Sequence, residues 1–414
     1  MAASSPVSSP GYSVEPIEGK GRGLVSRRAY ALGEQIFVEA PLVVAQYSWN
    51  KLYGYAACDH CLRPLETLEE NLTRLLKQRP STLLTALPDY DRLSEVDQSK
   101  HVECQLGCGA KYCCLECRTQ AQEMYHHLLC FSSTDERNNP LLRLDELWRS
   151  MHYPPETASI QLVVRLMAIL KATDAPNKKA LLEALASLKA DAFDQDQGLM
   201  HKILRDDFQA QLRELAAMLS RDFHFLQPEA HPSLVTAEWL TKVFTMVGLN
   251  GQGVGGSAFN RYVTNFQKEN QGGCGGGAAE ACSPADAAID ELYQLLDEAV
   301  GLEFLNSEGT GLYALQSACN HSCDPNAKIE FPFNNAVVAL VATKVIQPGE
   351  EITISYLEEC QLSRSRHSRR RALMENYLFA CECPKCAREA LEGQPDVTSS
   401  EEEEDDDDED MDDQ

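Results

Sequence analysis

The stretch Asn320-His321-Ser322-Cys323-Asp324-Pro325-Asn326 decides how the last quarter of the chain is organised. Its cysteine forms a zinc-ligand set with the later run Cys381-x-Cys383-x2-Cys386, and four thiolates close a tetrahedral zinc shell. A closed shell supports folding rather than catalysis. We therefore expect a structural metal at Cys323 and the chemistry in the residues beside it.

A second cysteine-rich region lies nearer the N-terminus and contains eight ligands in four consecutive pairs. The pairs are Cys58 with Cys61, Cys104 with Cys108, Cys113 with Cys117, and His126 with Cys130. Such paired spacings are typical of zinc sites, and eight ligands suffice for two ions. The sequence therefore predicts three zinc ions in all. Spacing alone leaves Cys114 open as an alternative to Cys113.

Charge argues against nucleic acid as the partner of the first metal-binding region. Residues 58–130 contain eight Lys and Arg against eleven Asp and Glu, so they lack a face that could neutralise phosphates. Contact with other proteins is favoured.

The net charge of the chain is -26, and twelve acidic residues at 401–413 supply nearly half of it. We expect residues 391–414 to form a disordered acidic tail. This tail is either simply solvated or attracts basic proteins such as histones.

The sequence has no secretory hydrophobic region and no run of eighteen apolar residues. This predicts a soluble chain that does not bind a membrane and lies in a reducing compartment. Cysteines in such a compartment are expected to bind metal rather than form disulfides. A basic run is either a nuclear signal or the solvated face of a helix; it comprises Arg364, Arg366, Arg369, Arg370 and Arg371. We expect the protein in the nucleus and the cytoplasm.

Residue patterns predict strands near both ends of the chain and helices between them. Strands are expected at residues 36–38 and 42–44, as one small sheet, and again from Leu312 onward at 336–343 and 352–356. Leucines at helical spacing predict helices across 140–245, and Ser283 followed by Pro284 predicts the start of another. Glycines at 248–256 and 272–277 predict loops.

The run Gly251-x-Gly253-x-x-Gly256 formally matches a dinucleotide-binding fingerprint and would allow a nucleotide-dependent enzyme. A dinucleotide site also needs an acidic residue at the end of a second parallel strand, about 20 positions on. Here the chain instead enters the glycine-rich stretch 271–275. We therefore favour a flexible or cofactor-facing glycine loop.

Four pieces of sequence taken together carry a family resemblance. They are 311–313 (Gly-Leu-Tyr), 320–326, 349–356 (Gly-Glu-Glu-Ile-Thr-Ile-Ser-Tyr) and the run Tyr377-x-Phe379-x-Cys381. This pattern resembles SET-domain protein-lysine methyltransferases with a cysteine-rich post-SET zinc site. A SET domain split by a MYND zinc finger is similar to the SET-and-MYND family, and the resemblance covers roughly residues 15–390.

The resemblance implies an α+β fold in which small SET-type β-sheets carry a helical insert, are interrupted by a MYND finger and are followed by a post-SET zinc site. The implied domains are a disordered N-terminus at 1–13, the N-terminal part of SET at 14–57, the MYND finger at 58–130, the helical insert at 131–245, the SET catalytic core at 246–358, the post-SET site at 359–390 and the tail.

In MYND fingers the first and third ligand pairs share one zinc ion, and the second and fourth pairs share the other. Carried over, one ion is held by Cys58, Cys61, Cys113 and Cys117, and the second by Cys104, Cys108, His126 and Cys130. The 42 residues between Cys61 and Cys104 depart from the usual compact spacing.

The implied activity is transfer of a methyl group from S-adenosylmethionine to lysines of histone and/or non-histone proteins, with further protein partners at the MYND finger. By resemblance, Tyr356 orients the lysine amine, and Tyr377 and Tyr313 line its channel. The residues expected at the cofactor are Lys20, Arg22, Asn250, Asn320, His321, Tyr356 and Phe379. The alternative is a catalytically silent zinc-finger adaptor.

Overall fold

A computed structural model describes residues 11–131, 138–151, 159–188, 208–228, 235–271 and 283–391 of the 414-residue chain. The acidic run and the glycines at 272–277 lie outside these residues. The chain divides into two compact units. The first comprises Met1–Phe37, Ala318–Ile329 and Leu340–Gln414, and the second comprises Val38–Ser317 and Glu330–Ala339.

The strands are short and form several small sheets. In chain order they are β1 (Tyr12–Ile17), β2 (Gly21–Ser26), β3 (Gln35–Glu39), β4 (Val43–Gln46), β5 (Val102–Glu103), β6 (Lys111–Tyr112), β7 (Gly251–Gly256), β8 (Ser307–Leu312), β9 (Asn320–His321), β10 (Ala327–Glu330), β11 (Val338–Ala342) and β12 (Glu351–Ile354). The sheet orders are β1-β2-β12-β9, β10-β11-β3, β4-β8-β7 and β5-β6.

The helices supply most of the second unit. In chain order they are α1 (Ser48–Leu52), α2 (Leu68–Leu76), α3 (Ser81–Ala86), α4 (Tyr90–Leu93), α5 (Leu115–Ala121), α6 (His127–Leu129), α7 (Pro140–Met151), α8 (Ile160–Ala172), α9 (Ala175–Ala186), α10 (Phe208–Asp222), α11 (Ala237–Asn250), α12 (Ala258–Gln271), α13 (Pro284–Val300), α14 (Glu359–Leu362), α15 (Arg366–Tyr377) and α16 (Pro384–Leu391). Among the described residues, no helix is long and apolar enough to cross a bilayer.

The first unit is organised by the four-stranded sheet. The β1-β2 hairpin closes through a turn in which Gly19 has φ 74°, a conformation that glycine adopts without a steric penalty. β12 pairs antiparallel with β2 and parallel with β9, with Thr353 opposite Asn320. The parallel pairing lays Asn320 and His321 beside the strand that leads to Tyr356.

Two large hydrophobic cores lie in the described part of the second unit. The larger core includes α7, α8, α10 and α11, and the rings of Trp148 and Phe244 stack in it with centroids 5.4 Å apart. The smaller core joins α2, α3 and α4, which come from the long insert of the cysteine-rich region, to α12 and α13. Leu68, Leu72 and Leu75 on one face of α2 are buried there, and a capping box at Thr67 begins that helix.

Several expectations hold and others are wrong. Ser283 does cap α13, with Pro284 at its first position. β1 begins at Tyr12, inside the segment predicted to be disordered. The stretches 36–38 and 42–44 belong to two different sheets, because β3 pairs with β11 whereas β4 pairs with β8. Arg369 is buried, so the basic run is not wholly a solvated helix face.

The predicted glycine loop at 248–256 is also wrong. α11 continues to Asn250, and Gly251–Gly256 form strand β7, which pairs antiparallel with β8 along its whole length. A Cβ on Gly251 would lie 2.6 Å from the carbonyl oxygen of Val247, so the tight helix-to-strand junction requires glycine. A helix followed by an antiparallel strand is the reverse of a dinucleotide-binding turn, and this excludes the fingerprint.

The central strand of the second unit's sheet provides a stability test. A Cβ on Gly309 would lie 2.3 Å from the carbonyl oxygen of Ala45 and 2.7 Å from Cδ1 of Leu62. We expect Gly309→Ala to lower the free energy of unfolding by about 1–3 kcal/mol through overpacking. Gly253→Ala on β7 is the matched control, because a Cβ there meets nothing within 4 Å.

Urea unfolding followed by tryptophan fluorescence measures this change, since Trp49, Trp148 and Trp239 all lie in the second unit. Equal midpoints for the two glycine variants would contradict the close approach of β4 and β8.

Candidate functional site

Four cysteines of the first unit come together as one buried cluster. The sulfur atoms of Cys323, Cys381, Cys383 and Cys386 all lie within 4.8 Å of one another. Cys323 lies two residues after the end of β9. Cys381 and Cys383 precede α16, and Cys386 lies in its first turn. The set of four converging thiols fits tetrahedral zinc.

Each sulfur of this cluster accepts a hydrogen bond from a nitrogen donor. The donors are Nε2 of His321 to Cys323 at 3.3 Å, the amide of Cys383 to Cys381 at 3.5 Å, the amide of Cys323 to Cys383 at 3.4 Å, and Nη2 of Arg369 to Cys386 at 3.6 Å. Donors directed at sulfur favour thiolates over thiols, which is the protonation state that binds a metal.

His321 connects this cluster to the strand end at Tyr356. The amide of Tyr356 donates to Nδ1 of His321 at 3.0 Å, so the proton of the neutral ring is on Nε2, which faces the sulfur of Cys323. Burial lowers the pKa of His321 to about 4, which keeps the ring neutral near pH 7. The bond also explains why β12 ends at Ile354, since the Tyr356 amide no longer pairs with a strand.

Tyr356 lies in a cluster of aromatic rings packed against the cysteines. Its ring centroid lies 4.8 Å from that of Tyr377 and 6.2 Å from that of Phe379, which it meets edge-on. Its hydroxyl donates to the carbonyl oxygen of Cys319 at 2.8 Å, and the hydroxyl of Tyr377 donates to the carbonyl oxygen of Tyr356 at 3.3 Å. Burial raises the pKa of Tyr356, so the phenol is protonated at neutral pH.

A polar group lies on the neighbouring strands of the same unit. Nδ2 of Asn320 donates to the carbonyl oxygen of Arg22 at 3.0 Å and to Oε1 of Glu351 at 2.8 Å. Glu351 also forms an ion pair with Lys20 at 2.6 Å, and both side chains of that pair are partly exposed. The structure therefore brings Lys20, Arg22 and Asn320 together.

Two polar residues of this region were missed by the sequence analysis as site residues. Glu351 joins Lys20 to Asn320, and only its place at the start of the strand 351–354 could have drawn attention to it. Asn326 accepts from the amide of Thr353 at 2.8 Å and donates to the carbonyl oxygen of Glu351 at 2.9 Å. Asn326 is part of the motif 320–326, so the sequence could have suggested that it holds β12 in place.

Tyr313 and Asn250 belong to the second unit. Tyr313 is fully buried, and its hydroxyl donates to the carbonyl oxygen of Ala336 at 2.5 Å. This bond holds the phenol inside the second unit, and the role of Tyr313 in a lysine channel stays a prediction. Asn250 is buried at the end of α11, and its amide donates to the carbonyl oxygen of Met246 at 2.8 Å.

The second unit contains the other two metal-ligand groups. They are Cys58, Cys61, Cys113 and Cys117, and Cys104, Cys108, His126 and Cys130, with the ligand atoms of each group within 4.8 Å of one another. Cys114 is in neither group, and its sulfur lies 3.8 Å from that of Cys113. Both groups have the thiolate and imidazole donors that zinc prefers.

The first of these groups is tied to the helical insert through an ion pair whose arginine is buried and whose aspartate is partly exposed. Nη2 of Arg165 on α8 lies 2.9 Å from Oδ1 of Asp59, inside the loop between Cys58 and Cys61. Nη1 donates to the carbonyl oxygens of Val44 at 2.8 Å and Asp59 at 2.6 Å.

Comparison with known proteins identifies the family. The SET domain family matches residues 21–357. The chain is 43% identical over 391 residues to Protein-lysine N-trimethyltransferase SMYD5 of Gallus gallus, covering 92% of this chain and 86% of that protein. It is 44% identical over 383 residues to the protein of the same name from Homo sapiens, covering 92% and 87%.

A shorter match relates the chain to another SET-and-MYND protein. Over 78 residues, 19% of this chain and 17% of the relative, it is 44% identical to Histone-lysine N-methyltransferase SMYD3 of Mus musculus. The chain therefore belongs to the SET-domain family and, within it, to the SET-and-MYND proteins represented by SMYD5.

Proposed function

We propose that this protein-lysine methyltransferase uses Tyr356 as its catalytic residue and methylates lysines of histone and/or non-histone proteins. The observation that carries the proposal is the aromatic cluster of Tyr356, Tyr377 and Phe379, which is joined through His321 to a metal-ligand group. The SMYD5 relatives are named trimethyltransferases, and we extend that degree of methylation to this chain.

The cofactor supplies a methyl group made electrophilic by a sulfonium, so the protein has mainly to orient the two reactants. The hydroxyl of Tyr356 is suited to this task because its proton is directed at the carbonyl oxygen of Cys319. Its oxygen lone pairs then remain to accept a hydrogen bond from the lysine amine. This fixes the direction of the nitrogen lone pair.

The attacking amine must be neutral, although the pKa of a free lysine is about 10.4. Transfer of the side chain from water to the rings of Tyr356 and Tyr377 removes hydration from the ammonium and lowers its pKa. Methylated ammonium products are also attracted to aromatic faces. The same rings therefore suit substrate and product.

The residues present fit the amino-acid part of S-adenosylmethionine. Lys20 offers a cation for its carboxylate, and Glu351 offers an anion for its amino group, since both are partly exposed. Phe379 would pack on the adenine, as in the family. Arg22 and Asn320 would support this site through the bond between them.

Zinc in the three ligand groups would be structural. In the first unit it would hold Cys381 and Cys383, and with them the preceding residues Phe379 and Tyr377, against Tyr356. In the second unit the two groups of the MYND finger would form a surface for protein partners.

The first test concerns metal content. We expect three zinc ions per chain by elemental analysis, because twelve ligands serve three tetrahedral sites. Cys113→Ser should remove one ion, whereas Cys114→Ser should retain all three because its sulfur lies outside the ligand groups. A parental content of one ion or none would contradict the assignment.

The second test concerns catalysis. Tyr356→Phe removes one hydroxyl and little volume, so cofactor affinity should stay near the parental value. The single-turnover rate should fall about 10²-fold if the lost hydrogen bond contributes roughly 2.7 kcal/mol in the transition state. His321→Ala should instead raise the cofactor dissociation constant, because it releases both Tyr356 and Cys323.

Calorimetric titration of the cofactor and single-turnover methylation separate these two defects. Tyr30→Phe is the matched control, since Tyr30 is buried in the same unit and lies outside the aromatic cluster of Tyr356. A parental rate for Tyr356→Phe at saturating cofactor would show that another residue is catalytic. Failure of the parent to bind the cofactor would favour the adaptor.

The third test concerns the acidic run, whose role follows from its charge alone. Deleting residues 398–414 should leave the melting temperature and the turnover of a short peptide unchanged. Loss of turnover only on a basic full-length protein, strongest at low salt, would instead show that the acidic residues attract the substrate.

A further inference from the structure

Arg369 is a buried cation that the family motifs do not explain. It lies on α15, and its side chain is only 2% exposed. Burying a guanidinium is costly unless its N–H groups find partners, and among the described residues Nε of Arg369 has none. Here Nη1 donates to the carbonyl oxygen of Arg364 at 2.6 Å, and Nη2 donates to Oε2 of Glu389 at 2.5 Å and to the sulfur of Cys386 at 3.6 Å.

The contact with Cys386 differs in kind from the other three donors to this cluster. Two of those donors are backbone amides and the third is the neutral ring of His321. Four thiolates around one divalent zinc ion leave a net charge of about two negative units. Among the described residues that donate to these sulfurs, Arg369 alone is positively charged, and charge-assisted bonds of this kind are the stronger ones.

Arg369 also lies on the same face of α15 as Tyr377, which belongs to the aromatic cluster. Arg369, Leu373 and Tyr377 follow one another at intervals of four, and positions four apart share a face of an α-helix. α15 ends at Tyr377, and the capping residue Leu378 has a φ of 61°, which reverses the chain direction. The next residue is Phe379.

The two side-chain partners of Arg369 lie on the following helix, whereas Arg364 precedes α15. Cys386 and Glu389 are three residues apart on α16 and both bond to Nη2. The guanidinium therefore joins α15 to α16, and the connection between those helices carries Phe379, Cys381 and Cys383. The contact of Arg369 with α16 therefore helps to position both the ring of Phe379 and the metal ligands Cys381 and Cys383.

We propose that Arg369 is a positioning residue that stabilises the zinc-bound thiolate of Cys386 and, through α15, holds Tyr377 and Phe379 beside Tyr356. Glu389 would orient the guanidinium through Nη2, the same nitrogen that donates to Cys386. The inference rests on the proposed zinc occupancy of this cluster. It concerns a residue outside the expected cofactor and substrate contacts.

The experiment follows zinc transfer from the folded, zinc-loaded protein to a chromogenic chelator. Cys386→Ser identifies which kinetic phase belongs to this cluster. Arg369→Met removes the charge while keeping an unbranched side chain, and Arg369→Lys keeps the charge without the planar fork. Arg371→Met is the matched control, because Arg371 is on the same helix in a half-exposed pair with Glu375.

We expect Arg369→Met to accelerate release from this cluster by about 10- to 100-fold, the usual range for loss of a partner of a metal ligand. Arg369→Lys should restore part of the parental rate, and Arg371→Met should match the parent. A parental release rate for Arg369→Met would overturn the proposal. Equally faster release of all three ions would show that Arg369 has only a general structural role. That result, or a release rate of Arg369→Lys as fast as that of Arg369→Met, would also overturn the proposal.

Should Arg369→Met fail to fold, Glu389→Gln carries the test, since it keeps an acceptor but removes the charge that orients the guanidinium. Selective faster release from the same cluster supports the proposal, and an unchanged rate overturns it. Cofactor titration on the variants that fold should show a raised dissociation constant for Arg369→Met but not for Arg371→Met, and equal values would overturn the link to Phe379.

The zinc measurement requires no methyl transfer. If the parent releases three ions but neither binds cofactor nor methylates, the proposed catalytic function fails while the role of Arg369 at the metal is still decided by the release rates. If the parent binds cofactor and methylates but contains no zinc in this cluster, the inference about Arg369 fails alone.

Discussion

The candidate active site depends on the two hydrogen bonds made by the imidazole of His321. Its Nε2 faces the sulfur of Cys323, and its Nδ1 accepts the amide of Tyr356. The strands beside it are too short to fix these positions alone, since β9 has two residues and β12 has four. Because its neutral ring has one donor and one acceptor, His321 can fix the position of the cysteine cluster relative to the phenol of Tyr356.

The core of this part of the first unit is made mainly of cysteines and aromatic rings, with a few aliphatic side chains. Cys323, Cys381, Cys383 and Cys386 form it together with Leu357 and Leu373, and the rings of Tyr356, Tyr377 and Phe379 pack against it. Small assemblies of this kind bury too little apolar area to be stable alone, and metal ligation supplies the missing free energy. Structural zinc would thereby determine the geometry of the substrate channel without taking part in the reaction.

The metal-ligand groups were readable from the sequence because ligand spacing is a local property of the chain, and the family resemblance supplied the pairing. The strand at Gly251–Gly256 was not readable, because its partner β8 lies some fifty residues further on and the glycine-rich composition favoured a loop. The hydrogen bonds of the Asn320 amide to Arg22 and Glu351 were not readable either, because they depend on tertiary pairing of strands. The burial of Arg369 was likewise hidden, since a run of arginines looks solvated until the acidic and thiolate partners on α16 are seen.

The protonation states around Tyr356 constrain how the substrate amine becomes neutral. The phenol is protonated, because burial raises the pKa of Tyr356, and its proton is directed at Cys319. His321 has its acceptor nitrogen occupied by the Tyr356 amide, and Glu351 is engaged by Lys20 and Asn320. Within the described part of the first unit, none of these groups is placed as a general base for an amine held at Tyr356. We therefore expect the lysine to lose its proton to solvent as the aromatic rings desolvate it, so that a more enclosed ring cluster would raise the neutral fraction of the amine.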